Sequence, residues 1–189
     1  MLCEVETSES FEKLLAAARN GEEWAATELY RSQNPGLLRY LRATEPREAE
    51  DLASEVWVAV AANLSDFTGD EPSFRAWLFM IARRRLIDLR RSAHRRRSSS
   101  TAPGEIPDRA AIEEPETDIL NSEATRAILE AIARLPDRQA EVVRLRVLGG
   151  LSAAEVAEVL GKPPGTIRVL QHRALRQLAR EVSRKAVTK

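Results

Sequence analysis

The stretch LSAAEVAEVLGKPPGTIRVLQHRALRQL, residues 151–178, constrains this chain more than any other. Ser152 and Glu155 have the S-x-x-E spacing of a capping box, and Leu151 and Val156 flank it where a hydrophobic staple sits. Ala154, Val156, Ala157 and Leu160 give the helix that follows an apolar face. Gly161 supplies a residue free to take positive φ, and Pro164 fits the first position of a second helix. At roughly 100° per residue, Ile167, Leu170, Ala174 and Leu178 fall on one side of that helix, and Arg168, Val169, His172, Arg173 and Arg176 on the other. Two short helices around a glycine turn, the second with a basic outward face, are what a DNA major groove accepts. A surface hairpin with a solvated arginine face has the same pattern, so this stretch alone leaves both readings open.

Formal net charge is zero, but the charges are segregated. Residues 1–72 carry 15 acidic and 6 basic side chains, and residues 73–97 carry 1 acidic and 9 basic. Residues 98–122 carry 6 acidic and 1 basic, and residues 123–189 carry 7 acidic and 13 basic. Two basic blocks set apart by acidic ones predict two nucleic-acid-facing surfaces rather than one uniformly basic protein. Cys3 is the only cysteine, which excludes an internal disulfide, and its role stays open. With His94 and His172 the only histidines, ordinary zinc-ligand spacings are not available, so no metal and no cofactor is expected. There is no run of 18 apolar residues for a membrane span, and MLCEVETSES lacks the basic and apolar regions of a signal peptide. A cytoplasmic location without membrane insertion is the expectation.

Taken in order, residues 1–9 read as a disordered tail. A helix is predicted from Ser10 to the stop at Asn20-Gly21. A second passes through Trp24, Ala25, Leu29 and Tyr30 and is expected to break at Asn34-Pro35-Gly36, with Leu37, Leu38 and Leu41 starting a third. Thr44-Glu45-Pro46 opens a longer helix with Leu52, Val56, Ala59, Val60 and Asn63 along one face. Its first turns hold Glu48, Glu50, Asp51 and Glu55, which also suit the helix dipole. Residues 66–72, DFTGDEP, read as a loop in which Asp70 or Ser73 can cap the next helix. In that helix Phe74, Trp77, Leu78 and Ile81 form a predicted core face, followed by Arg83, Arg84, Arg85, Arg90 and Arg91. Residues 98–118 read as an acidic Ser/Pro-rich linker. A second helical unit, 119–185, begins with Ala127, Ile128, Ala131 and Ile132, and continues past Leu135-Pro136-Asp137 with Val142, Val143, Leu145 and Val147 apolar. No strand pattern emerges. The fold class expected is all-α, with two small helical domains, 10–97 and 119–185, on either side of the linker.

Three motifs in this order, DLASEVWVAV, SFRAWLFMIARRRLIDLRR and LPDRQAEVVRLRVLGGLSAAEVAEVLGKPPGTIRVLQHRAL, resemble the sigma-70 family in its small extracytoplasmic-function group. The resemblance implies that 10–97 is a region 2 domain and 119–185 a region 4 domain. It implies a subunit that binds bacterial RNA polymerase core, through the β′ coiled coil and the β flap, and directs it to promoter DNA. Glu50, Asp51 and Glu55 would then dock on the β′ coiled coil. Phe67, Gly69, Asp70, Arg83, Arg84, Arg85, Arg90 and Arg91 would act on the −10 element, where a base is flipped into a pocket, with Phe74 and Trp77 the core beneath. Lys162, Thr166, Arg168, Val169, His172, Arg173 and Arg176 would read or grip the −35 element. An anti-sigma factor is a common partner in the family. Family members often carry Asn where this chain has Arg84, and their reading helix differs at Leu170 and Gln171. A stand-alone dimeric DNA-binding regulator is the competing reading. An enzyme is disfavoured because no nucleophile–base set, Gly-rich phosphate loop or metal cluster stands out.

Overall fold

A computed structural model describes residues 2–99 and 123–187, with side chains over 10–96 and 125–181. The described residues form eight α-helices and no strand. The helices are α1 (Leu2–Arg19), α2 (Glu23–Arg42), α3 (Ala49–Asn63), α4 (Glu71–Ser99), α5 (Glu123–Ala133), α6 (Asp137–Val143), α7 (Ala153–Leu160) and α8 (Pro164–Val187). A 3-10 turn, Pro46–Glu48, leads into α3, and a π-helical turn, Arg144–Leu148, prolongs α6. The segment read as a linker is described only at 98–99, where it belongs to α4, and the start of a helix near Ile119 lies outside the described residues.

Helix α1 begins at Leu2, where the sequence reading put a disordered tail. No Gly or Pro interrupts the chain before Gly21. Gly21 then ends the helix at φ 81°.

The break expected at Asn34-Pro35-Gly36 does not occur, and α2 runs straight through with Pro35 inside it. Tertiary contacts override the local signal. Asn34 accepts from the Trp57 indole at 3.0 Å and donates to the Tyr30 hydroxyl at 3.0 Å. Leu37 and Leu41 on the next turns are wholly buried. A Cβ on Gly36 would sit 3.0 Å from the Gly149 carbonyl oxygen, so a small residue is required there. Of the residues named for this helix, Ala25 and Leu29 are buried, and Trp24 is 58% exposed.

Helices α1 to α4 pack around Phe11, Leu15, Leu29, Leu37, Leu52, Val56, Phe74 and Leu78. Each fully buried Leu or Phe among them contributes about 1.5–3 kcal/mol against the unfolded chain. The core face of α4 differs from the one predicted. Phe74 and Leu78 are buried, but so is Phe79, while Trp77 and Ile81 are only half-buried. In the C-terminal part, Ile132, Leu135, Ala140, Val143 and Ala174 form a small second cluster. Ile128 and Val147, read as apolar-face residues, are exposed at 54% and 56%. The larger cluster does not stop at the end of α4: it also takes in Val142, Leu145, Leu151, Val156, Val159 and Ile167. The two helical units therefore share a continuous apolar core.

Candidate nucleic-acid interface

The residues expected to contact DNA lie on two surfaces. The first is built by the loop between α3 and α4. Asp70 caps α4: its Oδ1 accepts from the Ser73 backbone N–H at 2.9 Å. Hydrogen bonds from Ser73 hold the Asp70 carboxyl below its ordinary range. Gly69 has φ 151°, and a Cβ there would meet the Ser73 Cβ at 2.9 Å and the Phe67 ring at 3.1 Å. Only glycine closes the turn this tightly. The Arg19 guanidinium on α1 donates to the Leu64 and Phe67 carbonyls and ties the loop down.

Held this way, Phe67 stacks on Trp77, with centroids 5.0 Å apart and planes 24° from parallel. Phe74 closes the cluster from beneath, edge-on to Phe67 at 5.5 Å. Phe67 and Trp77 wall a cleft of about 630 Å³ that is also lined by Asn63, Asp66, Thr68, Ile81, Arg84, Arg85 and Asp88. Trp77 is thus a wall of the cleft and not only the core beneath it. Asn63 and Asp88 are cleft residues that the sequence reading did not assign. A periodic signal for Asp88 existed: Trp77, Ile81, Arg84, Arg85 and Asp88 follow i, i+4, i+7, i+8, i+11 spacing along one face of α4.

The arginines read as one basic block divide by partner. Arg84 has no ion-pair or hydrogen-bond partner among the described residues and lies on the cleft. Arg85 also lines the cleft, 3.7 Å from Glu55. Arg91 is 3.8 Å from Asp88, and Arg90 pairs with Glu45 at 2.7 Å. Arg83 faces away from the cleft and pairs with Glu141 at 2.7 Å. Of the acidic group on α3, Glu50 pairs with Arg42 at 2.8 Å, and Glu50, Asp51 and Glu55 are all exposed.

The second surface is α7–turn–α8. Ser152 and Glu155 form the full capping box, with the Ser152 N–H donating to Glu155 Oε2 at 2.6 Å and the Glu155 N–H to Ser152 Oγ at 3.2 Å. Gly161 takes φ 59° in the left-handed region, and α8 starts at Pro164. Ile167 and Ala174 are buried, and Leu170 and Leu178 half-buried. Thr166, Arg168, Val169, His172, Arg173 and Arg176 are exposed, and Lys162 is half-buried. Gln171 does not face outward freely, because its Oε1 accepts from Arg146 at 3.1 Å. On α7, Ala154 is exposed, whereas Val159 and Glu155 are buried. No cluster of His, Cys, Asp and Glu able to hold a metal ion occurs among the described residues, and none of the described helices is long and apolar enough to cross a membrane.

The described residues thus form helices only, with a helix-turn-helix at one place and a separate aromatic cleft with a basic rim at another. Comparison with known proteins identifies the family. Residues 29–96 match Sigma-70 region 2, and residues 125–178 match Sigma-70, region 4. The ECF RNA polymerase sigma factor ShbA of Streptomyces griseus is 38% identical over 175 residues, covering 87% of this chain and 91% of that protein. The ECF RNA polymerase sigma factor BldN of Streptomyces coelicolor is 39% identical over 171 residues, and there the match covers 89% of this chain but 64% of the relative. The sigma factor RpoE, solved in complex with the anti-sigma factor NepR from Bartonella quintana, has the same fold, with a TM-score of 0.66 at 23% identity over 83% of this chain and 96% of that one. The chain belongs to the sigma-70 family, in its extracytoplasmic-function group of transcription initiation factors.

Proposed function

We propose that this chain binds bacterial RNA polymerase core in the cytoplasm and directs it to promoters, reading −10 DNA in the Phe67–Trp77 cleft and −35 DNA with α8. The observation that carries the reading is the cleft. A flipped base needs a π-surface to replace the stacking it loses, and stacking on an aromatic side chain is worth about 1–3 kcal/mol per base. Phe67 and Trp77 supply that surface, and Gly69 lets the loop fold tightly against Phe67. Arg84 lines the cleft with no ion-pair or hydrogen-bond partner among the described residues, so we assign its guanidinium to a base edge or to a phosphate of the extruded strand. Arg85, Arg90 and Arg91 carry the strand backbone past it, and Asp70 fixes the loop from which the cleft is built.

The exposed face of α8 supports duplex reading in the same terms. Arg168, His172, Arg173 and Arg176 present donors to base edges and phosphates, and Val169 an apolar contact for a thymine methyl. Lys162 and Thr166 sit at the start of α8, where the helix N-terminus favours phosphate. Glu50, Asp51 and Glu55 form an exposed acidic face that complements a basic partner surface, and we assign them to the β′ coiled coil, with the C-terminal unit on the β flap. None of these steps requires a metal, a cofactor or a catalytic centre in this chain. An anti-sigma factor, the kind of partner with which the structurally similar RpoE was solved, is the expected regulator.

The test is base extrusion. With 2-aminopurine placed through the non-template −10 strand, polymerase carrying the wild-type chain should raise fluorescence at one position, and Phe67→Ala should reduce that signal about tenfold or more. An undiminished signal from a folded variant would remove the cleft from the reading.

A further inference from the structure

Helix α1 carries none of the residues assigned above to DNA or to polymerase, yet it holds the aromatic cleft at two points. Phe11 and Leu15 on its apolar face are buried in the core. The Phe11 ring lies 5.8 Å from Phe74, and Phe74 in turn meets Phe67 at 5.5 Å and Trp77 at 5.8 Å. The floor of the aromatic cluster therefore rests on α1. About two turns further along the helix, the Arg19 guanidinium reaches the loop above that floor. Its Nε donates to the Leu64 carbonyl at 3.1 Å, and its Nη2 donates to the Phe67 carbonyl. One planar fork takes both carbonyls at once, a geometry that a guanidinium offers and an ammonium does not.

Local structure leaves this part of the chain in need of a donor. Helix α3 ends at Asn63 with Leu64 as its C-cap, and its last turn holds no basic residue. The final carbonyls of a helix lack partners within it and carry partial negative charge, so a cation is favoured there. Arg19 supplies that cation from 45 residues earlier in the chain. The loop is then held on both sides of the Phe67 ring: Arg19 grips the backbone at 64 and 67, and Asp70 fixes the far end through the Ser73 N–H. Phe67 itself is only half-buried and is followed two residues later by Gly69. Ordering a half-exposed ring beside a glycine costs conformational entropy that its own packing offsets only in part. The grip on the Phe67 carbonyl supplies the remainder.

We propose that Arg19 is a positioning residue for −10 reading: by holding the Leu64 and Phe67 carbonyls from α1, it keeps the Phe67 ring stacked on Trp77 before a base arrives. This inference rests on the reading of the cleft given above. It makes α1 part of the reader, although no atom of α1 touches DNA in this role. A stacking platform ordered in advance spares the extruded base the cost of ordering it, which is the gain of preorganisation. Substitution of Arg19 should accordingly act through Phe67.

Two measurements on the full chain separate this role from promoter reading. In the free protein, proton NMR should show strong through-space contacts between the Phe67 ring and the Trp77 indole. Arg19→Ala should weaken them severalfold and leave the Phe11–Phe74 contacts, which report that α1 and α4 still pack. Arg19→Lys keeps the charge without the fork and should restore the Phe67–Trp77 contacts only in small part. On core polymerase with a 2-aminopurine promoter, Arg19→Ala should lower the extrusion signal about tenfold, the size of one lost charge-assisted hydrogen bond. Protection of the −35 element should not change. Phe67–Trp77 contacts that survive Arg19→Ala, or return in full with Arg19→Lys, would overturn the role of Arg19 whatever happens on the promoter. A fall in −35 protection in step with the extrusion signal would overturn it as well, by showing general damage. Lost ring contacts with undiminished extrusion would instead overturn the reading of the cleft on which the inference rests.

Discussion

Asp70 shows how a single side chain shapes the cleft. Its carboxylate caps α4 through the Ser73 N–H, and the Ser73 hydrogen bonds hold its pKa below the ordinary value of 3.8. A carboxylate with a depressed folded pKa contributes stability that is present above the unfolded pKa and is lost as pH falls through the lower folded value. Asp70→Ala should therefore lower stability by about 1 kcal/mol at neutral pH, as other lost N-caps do. The difference from wild type should shrink below pH 3.8, and chemical unfolding at the two pH values checks it. Arg84 is the neighbouring case of a residue shaped by what it lacks: Arg83, Arg85, Arg90 and Arg91 all have acidic partners, and it has none among the described residues.

At the scale of elements, Ser152 and Arg173 separate structure from reading. Ser152→Ala removes the hydroxyl that accepts from Glu155 and should destabilise the C-terminal unit by about 1 kcal/mol, read from its unfolding midpoint. Arg173→Ala should leave stability within about 0.5 kcal/mol, because the side chain is exposed. It should instead reduce −35-dependent transcription about tenfold or more at fixed salt. Equal activity on promoters with and without a −35 element would contradict the role of α8. The helix-turn-helix was legible because its signals are local: the capping spacing, Gly161 at the turn and Pro164 at the start of α8 all act within a few residues. Helix α2 was not, because Pro35 is a local stop signal that Asn34, Leu37 and Leu41 overrule through contacts with distant parts of the chain. Trp77 was misassigned because α4 is apolar on more than one face, so periodicity could not say which aromatic is core and which is wall. Glu155 read only as a capping-box residue, since nothing in its own helix reveals that Arg75, eighty residues earlier, pairs with it.

For the whole molecule, the acidic face of α3 and the cleft are linked through Glu55 and Arg85, which lie 3.7 Å apart with both side chains about half exposed. An exposed pair of this kind contributes little to stability, so Asp51→Ala with Glu55→Ala should leave folding unchanged while weakening core polymerase binding about tenfold. Unaltered core affinity in a titration would remove that face from the docking surface. The two-reader arrangement itself rests on the order of the elements, with a docking helix, a cleft and a helix-turn-helix on one chain. The measurement that tests it most directly is transcription by reconstituted bacterial core polymerase over a randomised promoter library. Transcripts should arise from templates sharing two short motifs at a fixed spacing, near −10 and −35, with the upstream motif lost for Arg173→Ala and the downstream one for Phe67→Ala. An active core and a folded chain that yield no promoter-selective transcripts would contradict the account.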